Sequence, residues 1–161
     1  MLKQQFFDMN DDLTDEARLK LAQSLVEVLA DTHILYVQTH NFHWNVTGAM
    51  FVSLHALFET QYTELFNAID LIAERVRALG FLVPATTKEF LSLSKIVESE
   101  GNIDAPKMIK VLINANEILL KNLRRAIIIA DESEDSVSSD LLTTRINIHE
   151  KTLWILRSVI L

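Results

Sequence analysis

The sequence predicts an all-α protein, a four-helix bundle in which one long crossover carries a short extra helix. Two observations support this fold class. Apolar residues recur every three or four positions along four segments, which is the spacing of one face of a helix. Short turns join the first and last pairs of segments, whereas a long connector, residues 80–104, joins the second segment to the third. A connector of this length can run from one end of a bundle to the other.

Helix A is predicted from Thr14 to about His43. Thr14 can cap this helix, and Asp15 and Glu16 in its first turn are favourable at the positive end of the helix dipole. The apolar face repeats at helical spacing at Leu21, Leu25, Val28, Leu29, Thr32 and Leu35. A short turn at 45–49 makes the next helix its antiparallel neighbour.

Helix B has the most regular apolar face of the chain. Its members are Phe51, Leu54, Phe58, Tyr62, Leu65, Ile69, Ile72, Val76 and Leu79. Gly80 is expected just past its carboxyl end, and Pro84 prevents the helix from continuing. Within the B–C crossover, Thr86 and Glu89 resemble a capping box, which predicts a short helix over about 87–94. The crossover makes helices B and C parallel.

Helix C is expected to begin after a cap at Asp104 or Asn102, with Pro106 in its first turn. The apolar face of helix C consists of Met108, Leu112, Ala115, Leu119, Ala126 and Ala130. That of helix D consists of Leu142, Ile146, His149, Leu153 and Leu156. The acidic segment 131–136 is expected to form a turn, and helix D to run from about 138 to 159. Four helices with one long crossover form the ferritin-like topology.

The length of 161 residues suits a single ferritin-like domain, 1–161, with residues 1–13 as a short amino-terminal extension. The chain has no cysteine, which excludes disulfides and thiolate metal sites and is compatible with a reducing cytosol. The amino terminus contains no apolar signal segment and becomes acidic at once, so a cytoplasmic protein is expected.

A stretch without charge, residues 32–58, raises the alternative of a membrane span. Polar residues and a glycine interrupt it at Gln38, Thr39, His40, Asn41, His43, Asn45, Thr47 and Gly48. No run of about 20 apolar residues is left, so no membrane partner is expected. In a chain that is 49% hydrophobic, the uncharged block suits a core that continues into a subunit interface.

Helix B carries two pairs of candidate metal ligands, His55 with Glu59 and Asp70 with Glu74. The members of each pair are four residues apart, so they share a helix face. Glu59 and Asp70 are eleven residues apart, which corresponds to about 16 Å along a helix. Metal bonds to nitrogen and oxygen are only about 2.0–2.2 Å long. One ion therefore cannot be bound by both pairs of the same chain.

A second chain removes this limit. A two-fold axis that crosses helix B near residues 64–65 places His55 and Glu59 of one chain opposite the acidic pair of the other. Two equivalent sites result, about 22 Å apart along the helix, and His43 at the end of helix A adds a further ligand. The chain contains no Glu-x-x-His motif, which di-iron centres inside one bundle require. Both observations predict a metal site shared between subunits.

The residues around these ligands also resemble a known family. The segments HNFHWNVTGAMFVSLHALFETQYTELFNAIDLIAERVRALG (40–80), ATTKEFLSLSKI (85–96) and DLLTTRINIHEKTLWILRS (140–158) are similar to the Dps mini-ferritins, the DNA-binding proteins from starved cells. The likeness covers nearly the whole chain after about residue 14. It implies a hollow dodecamer with ferroxidase sites at dimer interfaces. The implied iron ligands are His43, His55 and Glu59 of one chain with Asp70 and Glu74 of its mate.

The resemblance also implies the chemistry. Members of the family pass two electrons from two Fe(II) ions to hydrogen peroxide, which avoids releasing hydroxyl radical, and store the Fe(III) mineral. Imidazole and carboxylate ligands alone would also suit zinc, cobalt or manganese. Trp44 is expected either to trap a stray oxidising equivalent, as the resemblance suggests, or to pack at the interface. Glu59 is Asp in several relatives, so its longer side chain would shift the metal slightly.

Other titratable residues have simpler interpretations. His33, His40 and His149 are expected to be packed or surface histidines rather than primary ligands. Asp135 and Asp140 match acidic residues that line iron-entry pores at three-fold axes in relatives. Their alternative role is at the amino-terminal end of helix D, Asp135 in the preceding turn and Asp140 in the first turn.

The net charge of −7 disfavours a polyanionic partner. Residues 1–20 contain three cations and five acids, a net charge of −2, and Leu161 is expected to close the last helix without a tail. DNA-binding members of the family use lysine-rich tails, and counterion release requires clustered cations. DNA binding by this chain is therefore disfavoured.

Two alternative functions stay open at this point. The first is a non-enzymatic nucleoid protein that coats DNA, which tight binding in a gel shift at about 150 mM salt would support. The second is a structural shell with a vestigial metal site. In that case a titration with Fe(II) under peroxide should show no saturable fast phase.

Overall fold

The computed structural model describes residues 2–3 and 13–160 of the protein. These residues form five helices, α1 (Asp15–Asn45), α2 (Phe51–Ala78), α3 (Thr87–Leu93), α4 (Ala105–Glu132) and α5 (Ser136–Val159). The four long helices correspond to the predicted helices A to D, and α3 lies in the crossover, so the all-α four-helix bundle is confirmed. Most of the predicted extension, residues 1 and 4–12, and Leu161 lie outside the described residues.

Contacts between helices establish their directions. Lys20, near the start of α1, lies 3.1 Å from Glu132 at the end of α4. Farther along α1, Asp31 accepts a hydrogen bond from Asn122 of α4. These two contacts make α1 antiparallel to α4, and the short turn after α1 makes it antiparallel to α2 as well. Helices α2 and α4 are therefore parallel, as the length of the crossover predicted.

Three of the predicted helix caps are present. The side chain of Thr14 accepts a hydrogen bond at the start of α1. Thr86 and Glu89 form the predicted capping box of α3, in which each side chain bonds the other residue's backbone N–H. Asp104 caps α4, so the alternative cap at Asn102 was wrong. These ends could be predicted because each cap bonds a residue only three positions away.

Two predicted boundaries need correction. Helix α1 continues to Asn45, beyond the predicted end. Helix α5 begins at Ser136 rather than at about 138, because Asp135 caps it by accepting bonds from two N–H groups of its first turn. Asp140 therefore lies in the second turn of α5, not the first. The turn between α4 and α5 is therefore shorter than the predicted turn over 131–136.

The core lies between the four long helices. The predicted apolar face of α2 is buried at Leu54, Phe58, Leu65, Ile72 and Val76, and so is Leu79, which follows the last residue of the helix. Tyr62 and Ile69 are half-buried. Phe51 was wrongly placed in the core, since its side chain is 43% exposed. It lies in the first turn of α2, where its ring packs on His55 with centroids 5.1 Å apart.

A buried carboxylate attaches the crossover to the bundle. Asp31 of α1 is fully buried. One of its oxygens accepts bonds from the hydroxyl of Ser94 at 2.8 Å and the N–H of Lys95 at 2.6 Å. The other accepts a bond from Asn122 of α4. Asp31 thus fixes the residues that follow α3 to two long helices.

A second polar network crosses the interior between α2, α4 and α5. The Nδ1 atom of His149 lies 2.8 Å from the side-chain oxygen of Asn116, and its Nε2 atom lies 2.9 Å from a guanidinium nitrogen of Arg145. Arg145 also forms an ion pair with Glu64 of α2. Because guanidinium can only donate, Nε2 is the unprotonated nitrogen and Nδ1–H donates to Asn116. His149 is a packed histidine, as expected.

We expect this histidine to destabilise the protein at acid pH. Burial, followed by the nearby charge of Arg145, lowers the pKa of His149 from 6.5 to about 3. As the pH falls below 6.5, the unfolded chain gains a proton that the folded chain does not bind. The free energy of unfolding should therefore fall by up to about 1.4 kcal/mol per pH unit down to about pH 3, and this contribution should be constant above pH 6.5.

The variant His149→Gln separates this contribution from those of the carboxylates. Denaturant unfolding at fixed protein concentration, across the acidic range, should show a steeper pH dependence for the unaltered protein than for the variant. Equal slopes for both proteins would contradict the assignment. Fixed concentration matters because association changes the apparent stability of an oligomer.

Within the part of the chain that the structure describes, no helix is both long enough and apolar enough to cross a membrane. The uncharged block instead spans the end of α1 and the start of α2. Several of its apolar side chains are exposed there, as described below.

Candidate metal centre

Two of the predicted ligands, His43 and His55, face each other across the turn between α1 and α2. Their rings stack with centroids 3.8 Å apart and an interplanar angle of 21°. The Nδ1 atom of His43 lies 2.8 Å from the backbone oxygen of His55, and the Nδ1 atom of His55 lies 2.9 Å from the backbone oxygen of His43. The two residues therefore fix each other's ring orientation.

These contacts determine which nitrogen can bind a metal. A backbone oxygen only accepts, so both Nδ1 atoms carry a proton and donate it. In the neutral ring each Nε2 atom is then unprotonated and has a free lone pair. Hydrogen bonding of the second ring nitrogen to a backbone carbonyl is the usual support of a metal-binding histidine. The arrangement of His43 and His55 suits two imidazole ligands.

The three candidate carboxylates, Glu59, Asp70 and Glu74, lie along one side of α2. All three are exposed, whereas His43 is buried and His55 is half-buried. Glu59 is one turn beyond His55, and the acidic pair begins about 16 Å farther along the helix. Among residues 2–3 and 13–160, no group of three His, Asp or Glu side chains is placed to hold one metal ion within the single chain.

Apolar side chains surround these ligands on the outer face of α1 and α2. Trp44 is 66% exposed and Phe66 is 61% exposed. The other exposed apolar residues of these two helices are Val37, Phe51, Val52 and Leu71. We call this surface the α1–α2 apolar face. Exposed clusters that are rich in aromatic residues and poor in charge are typical of protein interfaces.

A set of aromatic rings lies beside the histidine pair. The ring of Trp44 contacts His40 with centroids 3.9 Å apart, and His40 stacks on Tyr62 at 4.2 Å. The ring of Tyr62 meets His43 edge-on at 5.1 Å. Burial, and then the charge of His43, lowers the pKa of His40. His40 is thus a packed histidine, as expected. Its contacts with the rings of Trp44 and Tyr62 were not indicated by the sequence.

The two candidate pore residues differ in their surroundings. Asp140 is exposed, whereas Asp135 is buried and lies 2.5 Å from a guanidinium nitrogen of Arg75. Burial by itself would raise the pKa of Asp135, but hydrogen bonds from Arg75 and Ser138 hold it below its usual value. The expected role at the start of α5 is confirmed for Asp135. The pore role of both residues stays a prediction.

Comparison with known proteins identifies the family of this fold. Residues 22–160 match the family described as Ferritin, Ferritin-like domain. "DNA protection during starvation protein 2" of Bacillus anthracis is 39% identical over 140 residues, which cover 84% of this chain and 96% of that protein.

Two solved structures extend the likeness to the backbone. A Dps protein from Vibrio cholerae O1, described as a member of a broad superfamily of ferritin-like diiron-carboxylate proteins, matches with a TM-score of 0.89 at 32% identity, over 92% of this chain and 94% of that chain. A Dps protein from Bacillus brevis matches with a TM-score of 0.89 at 34% identity, over 92% of this chain and 100% of that chain. The chain therefore belongs to the Dps mini-ferritins of the ferritin-like family.

Proposed function

We propose that this protein is a cytoplasmic mini-ferritin that oxidises Fe(II), preferably with hydrogen peroxide, and stores the Fe(III) mineral in a hollow dodecamer. The family role is iron storage, in keeping with the diiron-carboxylate description of the Vibrio cholerae relative. The observation that carries the proposal is the histidine pair: both Nδ1 atoms of His43 and His55 bond to backbone oxygens, so each neutral ring offers its Nε2 atom to a metal beside an exposed apolar face.

A second copy of the chain completes the site in this proposal. The midpoint between residues 59 and 70 is also the midpoint between residues 55 and 74, so an antiparallel copy aligns both ligand pairs at once. Phe66, which is exposed on α2 close to this midpoint, then packs against the partner near the two-fold axis. The acidic pair of each chain approaches the histidine pair of the other.

The ligand set suits Fe(II) as a substrate. The imidazoles of His43 and His55 bind the iron, while the carboxylates of Glu59 and of the partner's acidic pair offset its positive charge. Fe(III) carries one more positive charge, so the same carboxylates stabilise the product more than the substrate. This difference lowers the cost of oxidation. Five protein ligands shared by two iron ions leave coordination positions for water or peroxide.

The names of several relatives refer to DNA protection, as in Bacillus anthracis and Brevibacillus brevis. Removing Fe(II) together with peroxide protects DNA without any contact, because hydroxyl radical forms from these two reactants. The net charge of −7 disfavours coating of DNA by this chain. We therefore propose protection through iron chemistry rather than through binding.

Anaerobic Fe(II) titration followed by peroxide tests this function. We expect a fast phase of Fe(II) oxidation whose amplitude saturates at a fixed ratio of iron to protein, and a slower phase with dioxygen. An anomalous-scattering map of crystals soaked in ferrous salt should place iron beside His43 and His55 at a contact between two chains. A protein that shows no saturable fast phase would instead be a shell with a vestigial site.

A further inference from the structure

We propose that Arg75 is a positioning residue for the metal site of the partner subunit, and that it acts through a buried cluster with Asp135 and Ser138. We call these three residues the Arg75 clamp. This role rests on the proposed function, because it concerns the two acids that α2 supplies to the shared site, Asp70 and Glu74. The clamp joins α2 to the first turn of α5.

The Arg75 clamp is a closed set of hydrogen bonds. The Nε atom of Arg75 donates to the hydroxyl of Ser138 at 2.8 Å, and a terminal guanidinium nitrogen donates to one carboxylate oxygen of Asp135 at 2.5 Å. The same oxygen accepts a bond from the hydroxyl of Ser138 at 2.8 Å. Ser138 is fully buried, and Asp135 is buried as well. A planar guanidinium that donates to two fixed acceptors has few other orientations.

Asp135 is also fixed independently of Arg75. Its other carboxylate oxygen accepts bonds from the N–H groups of Val137 and Ser138, each at 3.2 Å, and so caps α5. All four lone-pair positions of the carboxylate are therefore used. The start of α5 holds Asp135 in place, and Asp135 in turn holds Arg75.

The clamp acts on the part of α2 that carries the acidic pair. Arg75 directly follows Glu74 and is five residues beyond Asp70. Successive residues of a helix are about 100° apart around its axis, so neither acid points toward α5 when Arg75 does. Both acids are exposed, whereas Arg75 is half-buried. The contact of Arg75 with α5 thus directs the two carboxylates outward.

Other contacts hold the histidine half of the site. His43 and His55 each bond to the backbone oxygen of the other residue. Near the middle of α2, Glu64 forms an ion pair with Arg145 of α5. Arg75 is eleven residues beyond Glu64, about 16 Å farther along the helix. Loss of the clamp should therefore displace the acidic pair while the histidines stay in place.

The effect of the clamp should consequently appear in the site of the partner subunit. In the proposed dimer the acidic pair of each chain approaches the histidine pair of the other. A chain whose clamp is broken keeps usable histidines but presents a displaced acidic pair. A residue that only stabilises the fold would weaken all sites of a mixed dimer alike.

Binding of Co(II) tests this role without any oxidation, since imidazole and carboxylate ligands also suit cobalt. Calorimetric titration of Arg75→Gln shells should show about tenfold weaker Co(II) binding than the unaltered protein, the lower end of the range for residues that orient metal ligands. Analytical ultracentrifugation should show the same assembly for both. Unchanged affinity in the assembled variant would overturn the proposal.

Two co-expressed mixtures show which half of the site is affected. The first combines Arg75→Gln with His43→Gly/His55→Gly. If dimers form at random, about a quarter of all sites combine the histidines of the Arg75→Gln chain with acids whose clamp is intact. These sites should bind Co(II) as tightly as the unaltered protein does.

The second mixture combines Arg75→Gln with Asp70→Asn/Glu74→Gln. No tight sites are expected, because every intact acidic pair then belongs to a chain with a broken clamp. Tight sites in the second mixture but not in the first would place the effect on the histidines. Equal affinities in the two mixtures would make the role merely structural. Either outcome would overturn the proposal.

A second variant, Asp135→Asn, separates the clamp from the helix cap. Asparagine caps a helix about as well as aspartate, so α5 keeps its cap while Arg75 loses its charged partner. This variant should weaken Co(II) binding severalfold and give the same pattern in both mixtures. Dissociation of both Arg75→Gln and Asp135→Asn shells would show that the clamp maintains the fold, and would overturn the positioning role.

The control variant is Arg124→Gln. Arg124 pairs with Glu150 at 2.8 Å, which joins α4 to α5 without contacting α2. Its loss changes the net charge by the same amount as Arg75→Gln and should leave Co(II) binding unchanged. An equal loss of affinity in both variants would show a general effect of charge and would overturn the proposal.

The positioning role and the proposed function fail in distinguishable ways. Fast Fe(II) oxidation by the unaltered protein, together with equal Co(II) affinities in the two mixtures, would remove the role of Arg75 and leave the function. Tight Co(II) sites in the first mixture alone, without any fast Fe(II) oxidation, would leave the role of Arg75 and remove the function.

Discussion

The double variant His43→Gly/His55→Gly is expected to lose the saturable fast phase of Fe(II) oxidation while it still assembles. The two residues supply the only imidazole nitrogens of the proposed site, and removing both should slow the initial oxidation about 100-fold or more. Assembly should persist because the α1–α2 apolar face, with Trp44 and Phe66 exposed, is unchanged. Stopped-flow absorbance with peroxide measures the first effect, and analytical ultracentrifugation measures the second.

A matched control replaces a histidine outside the site. His33 lies on α1 and stacks on Phe90, with centroids 4.3 Å apart, so His33→Asn should keep the fast phase. Dissociation of the double variant would show that the histidines are mainly structural. A fast phase that survives in an assembled double variant would place the iron ligands elsewhere.

Mixed shells of two defective chains should recover activity. One chain carries the double histidine change, and the other carries Asp70→Asn/Glu74→Gln. In a two-fold dimer that contains one of each, one site combines the intact histidines of one chain with the intact acids of the other, and the second site combines the defects. If dimers form at random, about a quarter of all sites are intact. The amplitude of the fast phase in co-expressed protein should approach this fraction.

The control for this experiment uses the same two chains assembled separately and then combined. These shells contain no mixed dimers, so they should show no recovery beyond either variant alone. A site built within one chain would behave the same way in both preparations, with no recovery after co-expression either. That outcome would exclude the shared site, whatever the oligomeric state.

Much of the fold could be predicted because the relevant interactions are local. The apolar face of α2 follows from helical spacing, and all but Phe51 among its predicted members are buried or half-buried. The capping box at Thr86 and Glu89 involves two residues only three positions apart. The start of α5 was misplaced because Asp135 was assigned to the preceding turn, whereas it caps the helix. Its second contact, with Arg75 of α2, joins distant residues, so no local pattern shows it.

For the candidate site, the sequence named the residues but not their mutual arrangement. The spacing of Glu59 and Asp70 along one helix is a local property, so a site shared between two chains could be predicted without a structure. The sequence did not predict that the Nδ1 atoms of His43 and His55 each bond to the backbone oxygen of the other residue. This exchange depends on how closely α1 and α2 approach at their shared turn.

By itself, then, the sequence determined the helices, the crossover and the separation of the ligand pairs, because each depends on the period of a helix and on distance along the chain. Only the tertiary structure decided which nitrogens of His43 and His55 bond to the backbone, where Asp31 attaches the crossover, and that both tyrosines pack beside the candidate ligands. These features join residues of different helices. Packing determines their distances, and no periodicity of the chain encodes them.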